Sequence, residues 1–226
     1  SPNDPQTIPK RPQTTQKNDH KKGRTGTPKN TVPVRSQNDR QRTANELVES
    51  LGATLIPPYN HAHVITGQGT LGLELFEQAP HLDTVLIPVG GGGLCSGVAI
   101  AMKHLNPSIK IYGVEPSGAD DAFQSLNAGY FIPQTNPQTI ADGLRTSLGD
   151  LTYPILRDHL EGILTVSEAG IVHAMQMIWT RMKTLVEPSA AVTLAAVLEH
   201  ESALDKSKHI GLVLTGGNVD LTRLPW

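Results

Sequence analysis

Apolar positions in the latter part of the chain fall into short continuous runs, separated by segments of helical period. "DTVLIPV", residues 83–89, is an apolar, β-branched run of strand length, which reads as a strand buried on both faces. Residues 94–105 then space their apolar positions as a helix does and stop at Asn106-Pro107. The alternation recurs. "IKIYGVEP" (109–116) predicts a strand and 119–128 a helix ending before Gly129. "ILTVS" (163–167) predicts a strand, and Ser167 can cap a long helix over 168–185. A helix over 188–201 and a last strand, "HIGLVLTGG" (209–217), follow. Upstream, Thr43 and Glu46 form a capping box for a helix with the stripe Leu47, Val48 and Leu51, stopped by Gly52. "ATLIP" (53–57) reads as a short strand. Apolar strands alternating with helices predict an α/β fold, a twisted and mostly parallel sheet flanked by helices. In such sheets ligands lie outside the carboxyl ends of the strands.

The front of the chain breaks this pattern. Residues 1–42 contain only Ile8, Val32 and Val34 as apolar positions, with six prolines. Too little apolar surface is available there to offset the conformational entropy of folding, so residues 1–40 are expected to be a disordered tail. Residues 1–43 carry ten Lys or Arg against three Asp or Glu, and the rest of the chain nine against eighteen. A basic tail can hold a nucleic-acid backbone. No aromatic residue is interleaved to stack on bases, so a solvated tail is the expectation and nucleic acid is not an expected partner.

Aromatic residues make up 4% of the chain, so its core must be built from Leu, Ile, Val and Ala. No apolar run approaches the roughly 18 residues of a membrane span, and no signal-peptide pattern is visible. Cys95 is the one cysteine, which excludes an internal disulfide and fits a reducing, cytoplasmic setting.

Candidate chemistry gathers at "IPVGGGGLCSG", residues 87–97. Gly90 to Gly93 sit between a strand and a helix, where backbone N–H groups and the helix dipole favour an anion. The dinucleotide pattern GxGxxG fails because position 94 is Leu94, and no Lys-Ser/Thr follows to make a P-loop. The loop therefore points to one phosphate group. Other candidates carry less. His61 and His63 have a metal-compatible spacing without a third ligand, and read as loop polarity. Cys95, Met175, Met177 and Met182 read as packing residues. Glu115 and Asp121, six residues apart across a turn, read from spacing alone as solvated surface.

"PVGGGGLCSG", "VEPSGADDAFQS", "TIADGLRTSLG", "RMKTLVEPSAAV" and "VLTGGNVDL", in that order and preceded by "PPYNHAHVITGQGT", resemble the eukaryotic serine racemases. They are similar also to the related serine/threonine dehydratases of the pyridoxal-phosphate fold type II group. The resemblance covers about Arg40 to Leu221. It implies a fold like that of the tryptophan synthase β subunit, incomplete here, with the end of a small domain over 41–65 and a large cofactor-phosphate-binding domain over 66–226.

What the resemblance implies about sites is specific. Gly90, Gly91, Gly92, Gly93 and Leu94 would cradle the phosphate of pyridoxal 5'-phosphate with backbone N–H groups, and Gly143 would line the cofactor pocket. Thr215 would face the pyridine nitrogen, where a hydroxyl cannot hold the ring protonated as a carboxylate would. Glu187 matches a glutamate on the cofactor side. Glu115 and Asp121, with the backbone carbonyl of Ala119, would hold Mg²⁺ or Ca²⁺ through oxygen ligands. Lys183 and Asn218 would contact a nucleotide effector. The family reaction is α-proton abstraction from L-serine or L-threonine, followed by racemisation or by β-elimination to a 2-oxo acid and ammonia, in a homodimer.

Two family segments have no counterpart in this sequence: Ser-Phe-Lys-x-Arg-Gly, which supplies the Schiff-base lysine, and Ser-Ser-Gly-Asn-His, which binds the substrate carboxylate. Lys10, Lys17, Lys21, Lys22 and Lys29 stand in a different context. Racemisation needs an acid or base on each face of the α-carbon, so no catalytic residue is assigned and the chain is expected to be inactive alone. One expectation is a partial gene product, with residues 1–39 from another reading frame or a mis-joined exon. The alternative is a non-catalytic module that binds a ligand or a partner.

Overall fold

The structure, a computed structural model, describes residues 37–226. The chain divides between Leu55 and Ile56 into two compact units. In the first, α1 (Gln37–Leu51) carries an exposed i,i+4 pair, Arg42 to Glu46 at 3.9 Å. This helix begins six residues before Thr43, so the expected capping box lies inside it and caps nothing. The expected tail over 1–40 falls outside the described residues up to 36, and 37–40 are helical. The expected strand "ATLIP" is not formed. Residues 53–57 are irregular, and Leu55 and Ile56 are exposed.

The second unit is built on a parallel sheet of β1 (Thr84–Pro88), β2 (Lys110–Pro116), β3 (Gly162–Val166) and β4 (Ile210–Leu212), in the order β3-β2-β1-β4. Its side-chain alternation divides the core. Leu86, Val114, Leu164 and Val166 face α6 (Glu168–Met177) and α7 (Pro188–Glu199). Val85, Ile87, Ile111 and Ile163 face the other side, with α3 (Gly93–Leu105). Every residue of β1 is buried, as a strand covered on both faces requires.

Two helices were not expected from the sequence pattern. α2 (Ala62–Gln78) contains Gly67, Gly69 and Gly72, which weaken an isolated helix. Packing accounts for two of them: a Cβ on Gly69 would lie 3.1 Å from the Gly97 carbonyl oxygen, and one on Gly72 3.1 Å from Ala101 Cβ. α2 and α3 thus approach backbone to backbone, and a Cβ on Gly97 would fall 2.2 Å from the Ile65 carbonyl oxygen. α5 (Thr152–His159) hides behind Pro154, which lies in its first turn where no intrahelical N–H is needed.

Other boundaries shift. α4 covers Asp121–Ala128 and ends on Gly129 in the left-handed conformation at φ 78°. The helix expected over 168–185 is α-helical to Met177, continues as a π-helical turn over Ile178–Met182, and stops at Lys183 with φ 58°. The helix expected over 188–201 ends at Glu199 and is followed by a short α8 (Glu201–Leu204). The last strand keeps only Ile210–Leu212 of the expected nine residues.

Candidate functional site

The strand order creates a switch point. The chain moves from β1 outward through β2 to β3, then returns to the opposite side of β1 for β4. Crevices for ligands open where connections diverge in this way, outside the carboxyl ends of the strands. Gly90–Gly93 follow β1 there, and Thr215 follows β4 three residues beyond its end.

Each glycine of the run has a close neighbour. A Cβ on Gly90 would lie 3.0 Å from the Gly143 carbonyl oxygen, one on Gly91 2.3 Å from the Tyr59 ring, and one on Gly93 2.7 Å from Tyr59 Cβ. Gly92 has φ 83°, and its Cβ would approach Thr152 Cβ to 2.9 Å. Gly92 is the N-cap of α3, and no side chain caps that helix. The first turn of a helix has N–H groups without intrahelical acceptors.

Further helices begin at the same place. α5 starts at Thr152, whose Oγ1 donates to the Gly91 carbonyl at 2.8 Å. α7 starts at Pro188, and Ser189 Oγ accepts the Gly143 N–H at 3.1 Å. α2 starts just beyond Tyr59, capped by His61, whose Nδ1 accepts the His63 N–H at 3.2 Å. Asn60 ties the start of α5 in place. It donates from Nδ2 to Asp150 Oδ1 at 2.6 Å and accepts the Leu151 N–H at 3.1 Å. Helix N-termini gathered around an uncapped glycine turn form a surface of positive potential, suited to a phosphate dianion. The arrangement fits the phosphate of pyridoxal 5'-phosphate.

The structure brings Gly143 against Gly90 and joins Glu187 to Asn218, whose N–H donates to Glu187 Oε2 at 2.8 Å. The Glu187 N–H in turn donates to the Gly216 carbonyl at 2.9 Å. Glu187 therefore holds the turn that follows Thr215. Lys183 lines an open groove of about 690 Å³ with Trp179, Arg181 and Trp226. Tyr59, Asn60, Thr152 and Ser189 were not singled out from the sequence. The four-glycine run signals close neighbours without naming them.

The acidic pair corrects the reading taken from its spacing. Glu115, at the end of β2, is fully buried, and Asp121 is 2% exposed. Glu115 Oε1 and Oε2 accept the N–H groups of Ala122 and Phe123 at 3.2 and 2.9 Å. Asp121 accepts the Leu148 N–H at 3.2 Å and the Gln134 amide at 3.4 Å. Burial, reinforced by the neighbouring Asp121 charge, pushes the Glu115 carboxyl well above the usual range. Burial likewise lifts Asp121 to about 6. Two buried carboxylates in a desolvated place favour either a proton or a cation. Among the described residues no group of three or more His, Cys, Asp or Glu is placed to hold a metal ion. The donors this pair offers are oxygen alone, a chemistry that fits Mg²⁺ or Ca²⁺.

Cys95 is fully buried, and burial together with the Glu115 charge pushes its thiol up, so it is a neutral packing group. Met175 is also buried, whereas Met182 is exposed. Among the described residues no helix is long and apolar enough to cross a membrane.

The family described as "Pyridoxal-phosphate dependent enzyme" matches residues 15–216, beginning upstream of Arg40. Serine racemase from Oryza sativa subsp. indica is 49% identical over 186 residues, 80% of this chain and 55% of that protein. The solved structure of maize serine racemase superposes with a TM-score of 0.80 at 48% identity, covering 83% of this chain and 58% of that one. Threonine deaminase from T.th. gives a TM-score of 0.79 at 47% identity, covering 83% of this chain and 62% of that one. The chain thus spans somewhat over half the length of these relatives. Its parallel sheet, its glycine turn at the switch point and its sequence place it within one family: the chain belongs to the pyridoxal-phosphate dependent enzymes.

Proposed function

We propose that this chain supplies the cofactor-phosphate half of a serine racemase or L-serine/L-threonine dehydratase. One observation carries the reading: several helices begin around the uncapped Gly90–Gly93 turn at the switch point of the sheet. The names of the similar proteins, serine racemase and threonine deaminase, supply the substrate class. When bound, pyridoxal phosphate supplies the electron sink that acidifies the α-hydrogen of an amino acid.

The chain's own residues hold and orient. Backbone N–H groups of Gly90, Gly91, Gly92, Gly93 and Leu94 bind the phosphate. Gly143 lines the pocket beside Gly90. Thr215 presents a neutral hydroxyl to the pyridine nitrogen, which suits proton exchange and β-elimination. Glu187 fixes the turn that carries Thr215, through its bonds to Gly216 and Asn218. Glu115, Asp121 and the Ala119 carbonyl bind Mg²⁺ or Ca²⁺, whose charge offsets the two carboxylates. Lys183 and Asn218 contact a nucleotide effector. Residues 41–65 belong to the small domain and 66–226 to the large one, within a cytoplasmic homodimer of the full-length parent.

The sequence carries no Ser-Phe-Lys-x-Arg-Gly segment, so the chain alone binds the cofactor without a covalent link and does not turn over substrate. Borohydride reduction followed by intact-mass analysis tests this. The expected result is saturable cofactor binding with no mass adduct. A stable pyridoxyl group on a single lysine would overturn the reading.

A further inference from the structure

We propose that Thr152 is a positioning residue for the phosphate cradle: its hydroxyl holds the Gly91 carbonyl out of the site and thereby turns the Gly92 N–H into it. The inference rests on the functional reading above and adds a residue that neither the glycine run nor the family resemblance assigns.

Thr152 is fully buried at the first position of α5. Its Oγ1 accepts the Gly149 N–H at 2.8 Å and lies 2.8 Å from the Gly91 carbonyl oxygen. The other acceptor within reach, the Gly149 carbonyl, is longer at 3.4 Å. A hydroxyl has one hydrogen to donate; with Oγ1 already accepting from Gly149, that hydrogen goes to Gly91.

The consequence follows from peptide geometry. In a trans peptide the C=O and N–H point to opposite sides. Fixing the Gly91 carbonyl toward α5 therefore points the Gly92 N–H away from α5. A carbonyl turned the other way would present negative charge to the anion. Gly92 then takes its left-handed conformation and starts α3, which no side chain caps. The two residues are in direct contact: a Cβ on Gly92 would stand 2.9 Å from Thr152 Cβ. Thr152 is itself held, because Asn60 accepts the N–H of Leu151 and bonds Asp150 just before it. The Tyr59 ring also packs against Gly91. The Gly91–Gly92 peptide is thus held by both Tyr59 and Thr152, and the Thr152 hydroxyl sets which way it faces.

The test uses the full 226-residue chain with Thr152→Val and Thr152→Ser. Equilibrium binding is measured for pyridoxal 5'-phosphate and for pyridoxal, which lacks the phosphate, and folding is checked by thermal melting. Thr152→Val is expected to weaken pyridoxal phosphate about tenfold, as loss of a hydrogen bond organising a charged ligand should. Pyridoxal binding should not change, and Thr152→Ser should stay within about threefold of wild type by the same reasoning. If Thr152→Val does not fold, Thr152→Ala takes its place with the same expectation. Wild-type affinity in the Val or Ala variant would overturn the inference. So would a Ser variant as weak as Val, because the hydroxyl would then not be the acting group. A wild-type chain that binds pyridoxal as tightly as pyridoxal phosphate would overturn the functional reading, and the inference with it.

Discussion

The carboxyl ends of β1 and β2 lie side by side in one sheet, yet the residues after them build opposite kinds of surface. Beyond β1, four glycines remove side chains so that other backbones can approach, and helices begin around them. The result is a neutral surface rich in N–H donors. At the end of β2, Glu115 is buried and Asp121 opens α4, with no cationic side chain bonded to either in the hydrogen bonds described for them. On the proposed reading the first region takes an anion, and the second takes a proton or a cation. Topology selects the end of the sheet, and the few residues after each strand set the polarity of the surface there. Leu148 touches both regions: its N–H binds Asp121, and its side chain would meet a Cβ on Gly92 at 3.0 Å.

The largest expected effect breaks the anion side alone. Gly92→Ala places a Cβ against Thr152 and forces a left-handed backbone on a non-glycine residue. Together these should cost about 3 kcal/mol of stability and remove phosphate binding, while the thermal shift caused by Mg²⁺ or Ca²⁺ persists. Calorimetric melting with each ligand separately checks both halves.

The converse change is Asp121→Asn. It should abolish the divalent-cation shift and leave phosphate affinity in place. Because a buried negative charge is removed, the metal-free chain should melt about 3 °C higher. An unchanged response to Mg²⁺ and Ca²⁺ would count against the cation site.

A pH series sharpens the contrast further. Burial raises Asp121 to about 6 in the folded chain. As pH falls through that value the carboxylate takes up a proton, and a cation must displace it. Cation affinity should therefore fall as pH drops through about 6, with proton uptake by Glu115, which burial also raises, adding to the loss, whereas the backbone donors of Gly90–Gly93 do not titrate. Isothermal titration between about pH 5 and 8, spanning that value, would reveal a pH-independent cation site as the contrary result.

The smallest effect concerns Cys95, beside the glycine run but within electrostatic reach of Glu115. The folded thiol should not react with a disulfide reagent until the chain unfolds. Reaction in the native state would contradict the burial of this thiol.

The sequence pattern made much of this architecture legible, because β1 and β2 are apolar runs that cannot be exposed and α3 follows with clear helical spacing. It missed α2 because Gly67, Gly69 and Gly72 argue against a helix locally. Only contact with α3 explains two of them. It missed α5 because Pro154 resembles a break until its place in the first turn is known. It misplaced the start of α1, where Thr43 looks like a cap but the helix already runs through it. The glycine run signalled a close approach at the end of β1, but Tyr59, Asn60 and Thr152 lie 30 to 59 residues from its nearest glycine in sequence. The acidic pair was visible, whereas its burial follows from the sheet and from Leu148, which no local pattern encodes.

The most direct test of the account follows backbone amide resonances of the isotopically labelled chain while inorganic phosphate is added. Saturable movement is expected, centred on the amides of Gly90, Gly91, Gly92, Gly93 and Leu94, with smaller changes at Thr152 and Gly143. Phosphate that leaves these amides unmoved, or that instead shifts basic residues of the 1–36 segment, would contradict it.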